Sequence, residues 1–156
     1  MAPVFTPDQL LDHWLGHRRL TRRTIEAFPD DEAFTSFSVG GMRPFADLVR
    51  EMLITARPTL EGVVEPGNWP FDDPEPPATR AEALERWDAE TGRIEELWPR
   101  IPEGRFQETD TAFGRYTMRV GDLLFYVIDN EIHHRAQGFV YLRALGVEPP
   151  AFPDRS

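Results

Sequence analysis

The chain has 156 residues, 40% of them hydrophobic, which suits a single globular domain over residues 1–156 with a core of its own. A formal net charge of -10 argues against nucleic-acid binding, and the absence of cysteine and lysine excludes disulfides, thiolate metal sites and Schiff-base chemistry. Neither a signal-like start nor a run of about 18 apolar residues occurs, so we expect a cytoplasmic protein without membrane contact.

The first predicted helix begins after Thr6, a typical N-cap, which is followed by Pro7 and by Gln9 at the third position. Pro29-Asp30-Asp31 predicts its end. Its apolar stripe has the steps of three and four that mark one helix face. The stripe is formed by Leu10, Leu11, Trp14, Thr21, Ile25 and Phe28.

The second predicted helix begins at Pro44 and is weakened near its end by Pro58. Its buried face is predicted to contain Phe45, Leu48, Met52, Ala56, Leu60 and Val63. Residues 63–78 follow with five prolines, which leaves room for neither a helix nor a strand.

The third predicted helix begins at the capping box of residues 79–82 and is closed by Pro102 and Gly104. Its stripe is Leu84, Trp87, Thr91, Ile94, Trp98 and Ile101. Residues 105–116 are short and polar and predict a turn or a small extended piece. The last predicted helix runs from about Thr117 to Leu145, with Gly146 after it.

These four helices predict an all-α four-helix bundle. The proline-rich crossover between helices 2 and 3 is long enough to follow a whole helix, which favours up-down-down-up order. The last helix is apolar nearly all round, so more than one of its sides must be covered. We expect a homodimer formed through this helix, although the two long loops are an alternative cover.

Two polar residues, Asn130 and His134, interrupt an otherwise apolar face of the last helix. Burying an unpaired polar group costs about 1–3 kcal/mol, so both side chains need partners. The i, i+4 spacing also lets two side chains of one helix bind the same metal ion.

The last helix contains the segment NEIHHRAQ at residues 130–137, followed by YLRALGVEPP at 141–150. Together these segments resemble the closing motif of DinB/YfiT-like proteins, and MRPFADLVRE at 42–51 resembles the opening of that family's second helix. The resemblance implies an up-down-down-up bundle, commonly dimeric, with a divalent metal held by three histidines. Some members of this family transfer low-molecular-weight thiols or act as thiol-dependent isomerases.

Carried over position by position, the family's three ligands fall on Glu51, Asn130 and His134, so a single histidine of the triad is kept. Ala136 also replaces a glycine of the motif. A carboxylate and an imidazole are good ligands for zinc, nickel or manganese, whereas a carboxamide is a poor one. The three residues therefore predict either a weak divalent metal site or a metal-free polar cluster in which Glu51 and His134 hydrogen-bond, with Asn130 beside them.

Two functions follow from this site. The first is a degenerate member of the family that binds a small apolar or acidic ligand, or a weakly held metal, between helices 2 and 4. The alternative is an active divalent-metal-dependent transferase or hydrolase, of a thiol-dependent or a thiol-independent kind. Outside the site, His13, His17 and His133 are interpreted as edge residues, the Glu131–Arg135 pair as structural, and Trp69 as a cap or pocket cover.

Overall fold

The computed structural model describes residues 4–156, and their secondary structure is mostly helical. The helices are α1 (Pro7–Ala27), α2 (Asp31–Ser36), α3 (Phe45–Val64), α4 (Arg80–Leu97) and α5 (Val120–Ala144). A two-stranded antiparallel hairpin, β1 (Thr109–Ala112) and β2 (Tyr116–Arg119), precedes α5. Within residues 4–156, no helix combines the length and the hydropathy needed to cross a membrane.

The helix starts follow the predicted caps closely. At α1, the Thr6 hydroxyl accepts from the Gln9 backbone N–H at 3.2 Å, and the Gln9 side chain accepts from the Thr6 N–H at 2.9 Å. At α4, Thr79 accepts from the Glu82 N–H at 3.1 Å, but Glu82 accepts from the N–H of Ala78 instead of that of Thr79. At α4 the Glu82 side chain therefore binds the residue before the N-cap, so only one half of the predicted capping box forms.

The prediction missed one short helix and placed the start of the last helix too early. Asp30 does not simply end a helix, because its carboxylate accepts from the Ala33 N–H at 2.7 Å and caps the short helix α2. The last helix begins at Val120 and not at Thr117, because residues 116–119 pair with β1. The strand partner lies in the short polar segment whose structure the sequence left open.

The hydrophobic core has two halves. One contains Leu10, Trp14, Ala56, Leu60, Val63, Val64, Ile94, Leu97, Trp98, Val120, Leu124, Val127 and Ile128. The other contains Ile25, Phe28, Phe34, Phe45, Ala46, Leu48, Val49, Met52, Ala83, Trp87, Tyr141 and Leu142. Every position of the predicted second-helix face is buried in one half or the other.

On α1, α4 and α5, buried polar side chains separate the residues of one core half from those of the other along each helix. We call this group the polar layer; its members are His17, Arg18, Thr21, Glu90, Glu131 and Arg135. Such a layer is tolerated only when its groups are hydrogen-bonded to one another.

Arg18 and Glu90 form one part of the polar layer. The Arg18 guanidinium donates to the Glu90 carboxylate at 3.1 Å and to the Trp87 carbonyl at 3.0 Å, and it stacks 3.6 Å above the Trp87 ring. The second Glu90 oxygen accepts from the Arg57 backbone N–H at 3.1 Å, just before Pro58 within α3. Burial raises the pKa of Glu90 to about 7, because desolvation outweighs the attraction of Arg18.

Glu131, Arg135 and His17 form the other part. The Glu131 carboxylate accepts from the Trp14 indole at 3.2 Å and from the Thr21 hydroxyl at 2.7 Å. Arg135 donates to the His17 carbonyl at 3.3 Å and to its Nδ1 atom at 3.0 Å. Burial, and then the charge of Arg135, lower the pKa of His17 to about 4. Glu131 and Arg135 are thus structural as expected, whereas His17 is buried and not an edge residue.

The proline-rich connection between α3 and α4 lies against α3. Near its start, Trp69 covers Gly62, where an added Cβ atom would lie 2.0 Å from the indole ring. Farther along, Arg50 donates to the Pro74 carbonyl at 2.5 Å. The connection therefore contacts α3 near both of that helix's ends.

Candidate ligand-binding site

The structure brings together two of the three predicted site residues. Glu51 of α3 and His134 of α5 face each other, with 2.9 Å between Oε1 and Nε2. The other imidazole nitrogen lies 2.8 Å from Oε1 of Gln137, and Arg43 donates to the second Glu51 oxygen. Partial burial raises the pKa of Glu51, but the hydrogen bonds from Arg43 and His134 outweigh it and hold that pKa below its usual value.

Asn130 stands apart from this pair. Among the described residues, no hydrogen bond joins its side chain to Glu51 or His134, and its Nδ2 atom is buried without a partner. An unpaired buried donor is costly and is uncommon in folded proteins. Asn130 thus remains a polar group that a ligand could satisfy.

Two further contacts position the pair. Gly138, one turn beyond His134, lets the Phe45 ring approach so closely that a Cβ atom there would lie 2.5 Å from it. The Tyr141 hydroxyl donates to the Arg43 carbonyl at 2.7 Å and fixes the segment that carries the arginine. The close packing of α3 on α5 therefore sets the distance between Glu51 and His134.

The donor set fits a tightly held divalent metal poorly. Within residues 4–156, no three His, Asp or Glu side chains are close enough together to hold an ion. Glu51 is already paired with the Arg43 guanidinium, a cation that would repel an incoming metal. One carboxylate, one imidazole and one carboxamide also fall short of the three strong ligands of a catalytic metal site. This arrangement suits a polar cluster better than a metal centre.

A cleft of about 430 Å³ lies next to this cluster, between α3, α5, the hairpin and the connection. We call it the aromatic cleft; it is lined by Ile54, Thr55, Thr59, Phe71, Phe113, Arg115, Tyr116, Met118, Leu123 and Tyr126. Thr55 is one turn from Glu51, to whose carbonyl it donates at 2.7 Å, and Tyr126 is one turn from Asn130. The cleft therefore continues the helix faces that carry the predicted site.

Phe113 reaches the cleft through an unfavourable backbone conformation. Its φ of 55° lies in the left-handed region, which bulky residues rarely occupy. Its ring packs against Trp69 at 5.5 Å, and Trp69 in turn lies on Gly62. Strain of this kind persists where surrounding structure enforces it, and it is concentrated at functional sites. The tip of the hairpin is therefore built to present an aromatic ring to the cleft.

Arg115 is the charged residue of the lining. Its guanidinium lies 5.5 Å from the Tyr116 ring centroid, and within residues 4–156 it has no ion pair shorter than 4.0 Å. Sequence reasoning did not single out Arg115, Phe113 or Tyr116. Their signal was the combination FGRY in a segment that is otherwise polar, but the pairing that brings it beside α3 could not be inferred from a pattern.

Three histidines and Trp69 complete the predicted set. His133 is exposed and its ring lies 5.0 Å from that of His134, so it stays at the edge of the site. His13 and His17 make an edge-to-face contact at 4.6 Å, and His17 belongs to the polar layer. Trp69 packs on Gly62 and against Phe113 but does not itself line the cleft, so both interpretations of it stay predictions.

Comparison with known proteins identifies the family. The sequence model of the DinB family matches residues 2–155. The chain belongs to the DinB family. The resemblance drawn from the segments at 42–51 and 130–150 is thereby confirmed.

Two solved DinB-like structures share this fold. A DinB-like protein from Bacillus subtilis has a TM-score of 0.76 at 23% identity, covering 94% of this chain and 97% of its own. One from Bacillus cereus has a TM-score of 0.76 at 16% identity, covering 92% and 95%. No curated protein matches the chain in sequence. At these identities the likeness shows the fold alone, so the function must be argued from the residues of this DinB-family protein.

Proposed function

We propose that this DinB-family protein binds a small, mainly apolar ligand with one acidic group in the aromatic cleft. The observation that carries the proposal is the strained Phe113, which completes an aromatic lining beside a polar cluster that needs no metal. A concave, mostly apolar pocket with a few polar groups is the usual form of a small-molecule site.

The lining supports this ligand class on three counts. A volume of about 430 Å³ lies within the range of small-molecule pockets. Aromatic rings such as Phe71 and Tyr126 offer apolar faces for a flat ligand, and Arg115 offers a cation for an acidic group. The buried amide of Asn130, one helical turn beyond Tyr126 on α5, supplies an unpaired donor on the helix that forms one wall of the cleft.

A fluorescent probe with an apolar body and one sulfonate, 1-anilinonaphthalene-8-sulfonate, tests the proposal. We expect saturable binding of one probe per chain, weakened about tenfold by Tyr126→Ala, since losing one aromatic contact with the probe costs about 1.4 kcal/mol. Phe152→Ala is the matched control, because Phe152 is 61% exposed and lies outside the cleft.

Two outcomes would contradict a site in the aromatic cleft: no saturable binding, or equal weakening by both substitutions. Since the probe also binds partly unfolded protein, each variant is first checked for an unchanged cooperative urea transition. Arg115→Gln separates the charge from the apolar contacts. It should weaken the anionic probe while leaving an uncharged aromatic probe such as N-phenyl-1-naphthylamine unaffected.

A metal-dependent transferase or hydrolase is the second candidate. It is favoured by the meeting of Glu51 and His134 from two helices at 2.9 Å. Metal analysis of protein purified without a histidine tag tests it, with Arg43→Ala as the variant that frees the Glu51 carboxylate. Stoichiometric zinc, nickel or manganese, lost on His134→Ala, would support the enzyme. Absence of metal from both the wild type and Arg43→Ala after incubation with each ion would contradict it.

We also propose the up-down-down-up four-helix bundle with a proline-rich crossover. The order of the two core halves supports it: α1 and α5 pass from the Trp14 half to the Tyr141 half, whereas α3 and α4 pass the opposite way. The contacts of Trp69 with Gly62 and of Pro74 with Arg50 give the connection a course along α3.

A homodimer through α5 is proposed on the exposure of two apolar side chains, Phe125 at 38% and Val140 at 50%. Light scattering across a range of concentrations tests it, with Val140→Glu as the variant expected to dissociate the dimer. A wild-type monomer at the highest concentration would contradict the proposal. The cytoplasmic location remains a prediction from the sequence.

A further inference from the structure

A second cleft, of about 300 Å³, lies between α3, α4 and the proline-rich connection. It shares Ile54 with the aromatic cleft but has a different chemistry, and we call it the arginine cleft. Its charged lining residues are Arg50, Arg57, Arg86, Arg93, Asp72 and Glu90. In a chain with a net charge of -10, a cleft with twice as many basic as acidic lining residues requires an explanation.

Two of the four arginines hold the connection in place. Arg50 donates to the Pro74 carbonyl at 2.5 Å and pairs with Asp73. Arg86 donates to the Glu75 carbonyl at 2.8 Å and pairs with Glu82. Their donors fix the backbone that forms one wall of the cleft, so their presence is explained by the fold.

The other two arginines share one carboxylate. The Glu61 Oε1 atom lies 3.6 Å from a guanidinium nitrogen of Arg57 and 3.8 Å from one of Arg93. Both distances exceed that of a hydrogen bond, and Arg93 makes its closer pair with Glu96 at 2.8 Å. Glu61 is thus a loose partner for both arginines, and Arg93 is held more closely by Glu96 at the edge of the cleft.

Glu90 lies at the inner end of the cleft and does little to offset this positive charge. Both of its oxygens accept hydrogen bonds within the fold, from Arg18 and from the Arg57 backbone N–H. Because burial raises its pKa to about 7, a part of the population carries no charge there near neutral pH. Arginines outnumber acidic residues in the lining of the cleft, although each of the four also has a carboxylate partner within 4.0 Å.

We propose that the arginine cleft binds the phosphate group of a small phosphorylated molecule between Arg57 and Arg93. A ligand with a carboxylate would replace Glu61 beside these arginines by a group of the same charge and would gain little. A phosphate monoester carries close to two negative charges and several acceptor oxygens, which match two guanidinium groups at once. The site is separate from the aromatic cleft and does not depend on the function proposed for it.

Calorimetric titration with inorganic phosphate tests the site, with acetate as a monoanion for comparison and ionic strength held constant. We expect saturable phosphate binding and no detectable acetate binding. The double variant R57Q/R93Q should weaken phosphate binding at least about tenfold. R119Q is the matched control, because Arg119 is an exposed arginine paired with Asp122 outside the cleft.

The double variant could lose phosphate binding because it no longer folds. A substitution that is expected to strengthen binding removes this ambiguity. Glu61→Gln removes the competing carboxylate and is expected to tighten phosphate binding several-fold. The proposal is overturned if wild-type protein binds no phosphate, if R57Q/R93Q binds as well as wild type does, or if Glu61→Gln leaves the affinity unchanged or lowers it.

Discussion

Replacing Glu90 by glutamine should change how stability depends on pH. The substitution keeps the shape of the side chain but removes its charge at the centre of the polar layer. The native pKa of Glu90 is about 7, above its ordinary 4.5, so the folded protein binds this proton more tightly than the unfolded chain does. The stability that this proton confers is complete below pH 4.5 and is lost as the pH rises to about 7.

The size of the effect follows from the gap between the two pKa values. A gap of about 2.5 pH units, at about 1.4 kcal/mol for each unit, amounts to about 3 kcal/mol. Relative to Glu90→Gln, wild-type protein should therefore lose about 3 kcal/mol of unfolding free energy between pH 4.5 and pH 8. The amide group facing Arg18 adds a cost of its own, but that cost is constant across this range and does not change the slope.

Urea unfolding followed by tryptophan fluorescence measures this difference at several pH values. Glu85→Gln, on an exposed part of α4, controls for the loss of one negative charge. The reasoning is wrong if the unfolding free energy of wild-type protein instead increases relative to that of the Glu90→Gln variant as the pH rises. In that case the attraction of Arg18 outweighs desolvation. A difference that does not vary with pH would refute it equally.

Three further predictions concern the polar layer and the aromatic cleft. Because the native pKa of His17 is lowered to about 4, wild type should lose about 3 kcal/mol relative to His17→Asn as the pH falls from 6.5 to 4, measured by urea unfolding. Gly62→Ala should displace Trp69 and weaken binding of the anilinonaphthalene probe. Gly92→Ala, which has open space around it on α4, should instead stabilise the protein by about 0.5–1 kcal/mol. Equal effects of the two substitutions would contradict the contact between Gly62 and Trp69. Phe113→Gly should relieve the positive φ and leave thermal stability nearly unchanged while weakening the probe; an unchanged affinity would show that the ring does not contact the ligand.

The long helices were predictable because their signals are local. Thr6 and Thr79 cap their helices through neighbours three residues away, and the stripes repeat with the helical period. The pairing of Glu51 with His134 was also within reach, because the family resemblance carries two of the three ligand positions onto these residues.

The hairpin and the polar layer were not predictable in the same way. Tyr116–Arg119 forms a strand only because Thr109–Ala112 pairs with it, and that pairing depends on how the flanking helices are placed. The seven-residue step from Trp14 to Thr21 was a visible gap in the first stripe. What fills the gap, Arg18, became interpretable only when Glu90 was found opposite it on α4.

Pro58 has a consequence for how the two clefts communicate. Because proline has no backbone N–H, the carbonyl of Ile54, one turn earlier, lacks its usual helical donor, and α3 resists bending less there than elsewhere. The Ile54 side chain is at the same time a wall of both clefts. If a ligand in one cleft displaces Ile54, the shape of the other cleft changes too. Thermodynamic reciprocity would then require the two proposed ligands to alter each other's affinity by the same factor.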